Sequence, residues 1–259
     1  MSPNLINSTL AQIMIRPVEK LGVYNSFFMK SLAKIFYPPV NFKLLSIQME
    51  FVGNRSFSIV ILAGVMVGGI FGFQLGEIFR IFGAESMIGA AAGFALSREL
   101  APMVVGFLVT GRAGSSMAAE IATMRVNEQI DAMKVMAVNP YSYLVAPRIL
   151  ASILMMPFLM VFFVIVGVIA SFIIGIAFYD VDVADFMNKI QWIVAPKDIF
   201  LGIQKAAVFG LIFSIIGCYQ GFFASGGAKG VGKATTMAVV VSYVSLIVAD
   251  YVISYLQFL

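Results

Sequence analysis

The chain has 259 residues, of which 61% are hydrophobic and 12% charged, with a formal net charge of +4 and no histidine. An ordinary soluble domain is about 45–50% apolar and about 25% charged, so this composition excludes a water-soluble surface and points to lipid as the solvent of one membrane domain. The single Cys218 rules out an intrachain disulfide, and without histidine there are no imidazole-dependent zinc or haem sites and no Ser-His or Cys-His nucleophile pair.

From the N-terminus, no basic segment followed by a long apolar run marks a cleavable signal peptide, so the first span is expected to act as its own insertion signal. Residues from about 18 to 37 form an amphipathic stretch. Val18, Leu21, Tyr24, Phe28, Leu32 and Ile35 recur at spacings of three and four, Lys20, Lys30 and Lys34 supply cationic heads, and Pro38-Pro39 ends the pattern. This predicts a helix lying in the membrane interface, with packing on the bundle through the same face as the alternative. Residues 1–55 are read as an N-terminal region and 56–259 as the membrane domain.

Five apolar runs follow, from about Ser56 to Leu75, Ser86 to Val109, Ile149 to Phe178, Ile199 to Phe223 and Thr235 to Leu256. Each approaches or exceeds the roughly 20 residues that cross about 30 Å of hydrocarbon. The alternating ten-residue pattern of a membrane β-barrel is not seen, so the predicted class is an all-α membrane protein with five transmembrane helices. Arg16, Lys20, Lys30, Lys34, Lys43 and Arg55 precede the first span, Arg112, Arg125, Lys134 and Arg148 follow the second, and Lys229 and Lys233 follow the fourth; the other side holds only Arg80, Lys189 and Lys197. The positive-inside rule then puts the N-terminus in the cytoplasm and the C-terminus outside. The positive net charge is accordingly topology rather than nucleic-acid binding.

The first span carries Gly64, Gly68, Gly72 and Gly76 at four-residue spacing. Such a ladder is one flat face on which another helix approaches closely, within the chain or across a dimer. Four ionisable residues fall inside spans: Arg98, Glu99, Lys205 and Asp250. A charge in hydrocarbon costs about 2.5–3.5 kcal/mol on insertion scales, so each is expected to face protein or water. The two readings are a structural ion-pair cluster and a polar patch in a cavity. Pro102 should kink the helix by removing the hydrogen bond to the Arg98 carbonyl. Ile78, Phe79 and Phe82, near the turn after the first span, are candidate partners for lipid tails.

Between the second and third spans, Ala118 to Ala137 reads AAEIATMRVNEQIDAMKVMA, without Pro or Gly, before Asn139-Pro140. It is too polar to span and too helix-prone for a linker. It predicts one helix over about 118–137 that fits a groove on a soluble partner, as the coupling helix of an ABC permease does on its ATPase, with a structural interfacial helix as the alternative. Glu120, Arg125, Glu128, Asp131 and Met133 are its candidate contacts, with Glu128 and Asp131 one turn apart. Gly227 to Lys233 fits G-x-x-x-x-G-K, but Ala234 stands where the Mg²⁺-binding hydroxyl belongs and no strand precedes it. It is read as a flexible basic loop near anionic headgroups.

Several of these segments resemble the MlaE/YrbE permease family: SRELAP at Ser97–Pro102, GRAGSSMAAEIATMRVNEQIDAM at Gly111–Met133, AVNP at Ala137–Pro140, APR at Ala146–Arg148 and GKATT at Gly232–Thr236. The resemblance implies a bacterial inner-membrane subunit of an ABC-type transporter that moves phospholipids or related lipids to or from the outer envelope. It further implies a homodimer, a cytoplasmic ATPase that uses ATP and Mg²⁺, a periplasmic MCE-domain protein and, in some systems, a STAS-domain subunit. This chain itself would bind no cofactor or metal and catalyse nothing. The family's cavity charges map onto Arg98, Glu99, Lys205, Lys233 and Asp250, with Lys233 where the family often has Arg. The rival reading is an ion- or proton-coupled secondary transporter with Glu99 and Asp250 as proton carriers. An intramembrane enzyme is disfavoured by the lack of any compact acid–base constellation.

Overall fold

The computed structural model describes residues 22–34 and 42–258, and every regular element among them is helical. Among the described residues, five helices are long and apolar enough to cross a membrane. They are α2 (Phe42–Ile81), α3 (Glu85–Val126), α5 (Tyr141–Tyr179), α7 (Pro196–Phe222) and α8 (Gly227–Phe258). Three shorter helices accompany them: α1 over 22–34, α4 (Gln129–Val135) and α6 (Val183–Ile193). The bundle has an α4 end, which also carries α1 and the start of α8, and an opposite α6 end.

The spans outrun their apolar runs. α2 has 40 residues, about 60 Å at 1.5 Å per residue, because no proline lies between Pro39 and Pro102 to stop it. Position 55, expected to separate two regions, therefore lies inside a helix. Hydropathy marks only the lipid-facing length of a helix, not its ends. The segment Gly227–Lys233 is likewise not a loop but the first turns of α8. The reversal after α7 is absorbed upstream by Gly226 and Gly227, at φ +92° and +64°, where a side chain would be strained.

Without a hydrophobic force between helices in lipid, close van der Waals packing must hold the spans together. The glycine ladder supplies it within the chain, along α5, rather than across a dimer. A Cβ at Gly68 would strike the Gly167 carbonyl and one at Gly76 the Tyr179 ring, while one at Gly72 would come within 3.1 Å of the Ser171 Cα. Ser171 Oγ donates to the Gly68 carbonyl at 2.7 Å across the same contact. α5 in turn packs on α7, and α7 meets α3 and α8. Leu96, Val105 and Met117 of α3, Phe163 of α5, and Phe209 and Phe213 of α7 form the buried centre.

Four π turns interrupt the helices, at Glu50–Asn54, Leu96–Leu100, Thr110–Gly114 and Tyr141–Val145. The second answers the proline: Pro102 cannot donate, and the preceding Ala101 N–H reaches back to the Leu96 carbonyl, five residues away. There the Ser97 carbonyl lies against Gly202 of α7, where any Cβ would collide with it. The turn thus brings α3 and α7 together beside Arg98 and Glu99.

α1 packs on the bundle. Phe27, 2% exposed, has its ring centroid 5.5 Å from those of Tyr141 and Tyr219 and 5.6 Å from Phe222. Tyr24 and Phe28 flank it in the same cluster. The expected anchors Val18, Leu21 and Ile35 lie outside the described residues.

Candidate functional site

Three of the four charges in the spans meet, in the half of the bundle towards the α6 end. Lys205 on α7 has a fully buried side chain and pairs with Glu99 of α3. Its Nζ stands 3.3 Å from Asp250 Oδ1 of α8, a Coulombic contact without an aligned hydrogen bond. Lys205 also donates to Ser254 Oγ at 2.7 Å, and that hydroxyl donates to Glu99 Oε2 at 3.2 Å. One ammonium thus serves two carboxylates, leaving a formal excess of one negative charge. Asp250 is enclosed, with 15% of its side chain exposed, whereas Glu99 is 38% exposed and forms the open side of the cluster.

Arg98 does not join them. It turns to Asp198 at 3.6 Å, and its guanidinium lies 5.2 Å from the Phe94 ring centroid. Asp198 also accepts from the Ala195 N–H at 3.0 Å, capping the start of α7. Asp198 lies just before the fourth apolar run and is not among the four charges expected inside the spans. The signal that identifies it is its spacing: Asp198 and Lys205 are seven residues apart on one face of α7, so adjacent Arg98 and Glu99 each meet an opposite charge.

The other expected path residues are elsewhere. Lys233 is exposed near the start of α8, about 25 Å along the helix from Asp250 at 1.5 Å per residue. Ile78 and Phe82 are 52% and 76% exposed at the α6 end. Phe79 packs in a small cluster with Ile88 and Phe186.

At the opposite end, the helix expected over 118–137 is two helices. α3 continues to Val126, Glu128 takes a left-handed conformation with φ +58°, and α4 begins at Gln129. Glu128 and Asp131 therefore do not share a helical face as expected. Asp131 is also engaged within the chain, 2.7 Å from Arg125 and 2.8 Å from Lys134. Glu120 reaches Arg148 of α5 at 2.7 Å, and Met133 packs against the bundle. Glu120 and Glu128 are both exposed, and Glu128 is the expected carboxylate outside these ion pairs. Beside them an apolar pair not singled out in the sequence, Val135 and Met136, is 88% and 67% exposed at the tip of α4. An apolar pair inside a polar, non-spanning stretch was the available signal.

Hydrogen bonds from Lys134 and Arg125 hold the Asp131 carboxyl below its ordinary value of 3.8. A lowered folded pKa stabilises α4 above 3.8, and that contribution is lost as pH falls through the lower folded value. Asp131→Asn removes the charge at neutral pH. Amide hydrogen exchange over 129–135 is expected to accelerate, with the spans unaffected. Unchanged exchange would mean that Ile130 and Met133 alone hold α4.

Five spanning-length helices, charges paired inside them and a braced helical tip at one end define a multi-pass membrane protein with the architecture of a transport subunit. The family model described as Permease MlaE matches residues 45–256, and the chain belongs to that family of ABC transporter permeases. A probable ABC transporter permease protein of Rickettsia felis is 37% identical over 98% of each chain. One from Synechocystis is 39% identical over 82% of this chain and 80% of its own. The Arabidopsis thaliana protein Trigalactosyldiacylglycerol 1, chloroplastic, is 39% identical over 80% of this chain and 59% of its own.

Proposed function

We infer that the chain is the membrane subunit of an ABC-type lipid transporter, working as a homodimer with a cytoplasmic ATPase, a periplasmic MCE-domain protein and, in some systems of this kind, a STAS-domain subunit. The observation that carries this reading is the Glu99–Lys205–Asp250 cluster, a polar site open through Glu99 in an otherwise apolar bundle. A phospholipid has apolar tails and a charged headgroup, and those two environments suit it. The name of the Arabidopsis relative, which carries that of a glycolipid, supports a lipid substrate. Lys205 is closed off by its partners, which leaves Arg98, paired with Asp198 on the neighbouring helix, as the cation assigned to the phosphate. The Lys and Arg distribution supports an orientation with the α4 end in the cytoplasm, and the permease relatives from Rickettsia and Synechocystis support a bacterial membrane location, read here as the inner membrane.

In that orientation Val135 and Met136 face the ATPase, with the ion pairs of Asp131 as a brace. Changing both residues to Glu is expected to reduce ATPase co-purification at least about tenfold, since burying an unpaired charge at an interface costs several kcal/mol. Membrane insertion is expected to be unchanged. Full co-purification of the double variant would place the docking surface elsewhere. The excess carboxylate of the cluster also fits a proton relay, the secondary-transport reading, which would need no ATPase.

A further inference from the structure

A second polar feature lies at the α4 end, far from the intramembrane cluster. α1 and the turn after α4 border an open cleft of about 540 Å³ lined by Lys30, Lys34 and Lys134 together with Asn139 and Tyr141. A neighbouring cleft of about 580 Å³ shares Lys30 and Tyr141 as a wall and continues over Val23, Phe27 and Phe223. The two together make a trough that is basic at one side and aromatic at the other. Among the described residues lining either cleft there is no carboxylate. Asp131 neutralises one of the three ammonium groups from outside, at 2.8 Å from Lys134, and Lys30 and Lys34 have no such ion pair among the described residues.

We propose that this trough binds the headgroup of an anionic phospholipid of the surrounding bilayer. The basic side takes the phosphate and the Val23–Phe27–Phe223 side takes the glycerol and the upper part of the acyl chains. Two features of the site favour a lipid over an acidic protein segment. Its apolar side runs onto the ends of α5 and α7, which are spans, and two of its three cations, Lys30 and Lys34, project from α1, which packs across those ends. Basic pockets between spans at a membrane face are suited to such headgroups. The site touches the turn at Ala137–Asn139 directly after α4, whose Ala137 is held at φ +59°. An occupied trough would therefore bear on the same element that presents Val135 and Met136.

The test uses the full chain purified in a neutral detergent. Short-chain phosphatidylglycerol, short-chain phosphatidylcholine and inorganic phosphate are titrated separately, and affinity is read by thermophoresis. Wild type is expected to bind phosphatidylglycerol at least about tenfold more tightly than either of the others. Lys30→Gln with Lys34→Gln is expected to lose at least about tenfold of that affinity, at roughly one kcal/mol per basic residue, and Lys30→Arg with Lys34→Arg to keep it. Lys189→Gln, on α6 at the opposite end of the bundle, should leave it unchanged. Equal binding of both lipids, or unchanged phosphatidylglycerol binding in the double Gln variant, overturns the proposal. Phosphate that binds as tightly as phosphatidylglycerol and displaces it would make this a free-anion site and overturn the lipid assignment. So would a double Gln variant that binds lipid normally but no longer captures the ATPase, which would make the trough a protein contact.

Discussion

Gly68→Leu is expected to prevent stable folding of the chain. At this position α2 and α5 touch through backbone, and an added Cβ would strike the Gly167 carbonyl. A flexible side chain could swing aside, but a carbonyl inside a helix cannot without moving the helix. Overpacking ordinarily costs about 1–3 kcal/mol and more where nothing yields. Parting the helices would also break the Ser171–Gly68 hydrogen bond, worth about 1 kcal/mol. Against a total stability of about 5–15 kcal/mol, the folded yield should fall severely. Gly69→Leu is the matched control, because nothing lies within 4 Å of a Cβ at that position. Size-exclusion profiles and thermal unfolding of the two variants give the comparison. Equal behaviour of both would mean that the ladder is not the α2–α5 contact.

Lys205→Met should be nearly as damaging, for an electrostatic reason. It leaves Glu99 and Asp250 facing each other with no cation between them. Removing one partner of a buried pair costs about 3–5 kcal/mol. Glu99 can turn to its open side, so most of the penalty falls on enclosed Asp250. Combining Lys205→Met with Asp250→Asn removes that stranded charge, and folded yield is expected to recover while lipid transport does not. Recovery of both would make the three charges a packing device. Wild-type stability in the single variant would mean that the ion pair carries no weight at all.

The number of spans was legible because hydropathy over 20 residues is a strong signal, and so was the glycine ladder, whose four-residue period survives in any α-helix. Helix ends were not, because α2 and α8 continue through polar and glycine-containing sequence without a breaker. The break at Asn127–Glu128 was also hidden. Neither residue is a strong helix breaker, and the left-handed turn is fixed by tertiary contacts of Ile130 and the Arg125–Asp131 pair. At the charged site the sequence supplied four ionisable residues but not their pairing. A π turn ahead of Pro102 sets the directions of Arg98 and Glu99, and Asp198 entered the network from beyond the apolar run. Local sequence names the charges that lipid must not meet; which helix neutralises each is decided by packing.

The central claim is that ATP hydrolysis by a partner moves lipid past the Glu99–Lys205–Asp250 cluster. The direct measurement is transfer of a fluorescent phospholipid from proteoliposomes that contain the chain with its co-purifying partners, with ATP or with a proton gradient as the only energy source. The account predicts transfer with ATP and Mg²⁺, none with the proton gradient alone, and loss of transfer when Val135 and Met136 are both changed to Glu. Transfer driven by the proton gradient in the absence of any ATPase would contradict it and assign Glu99 and Asp250 to proton transport.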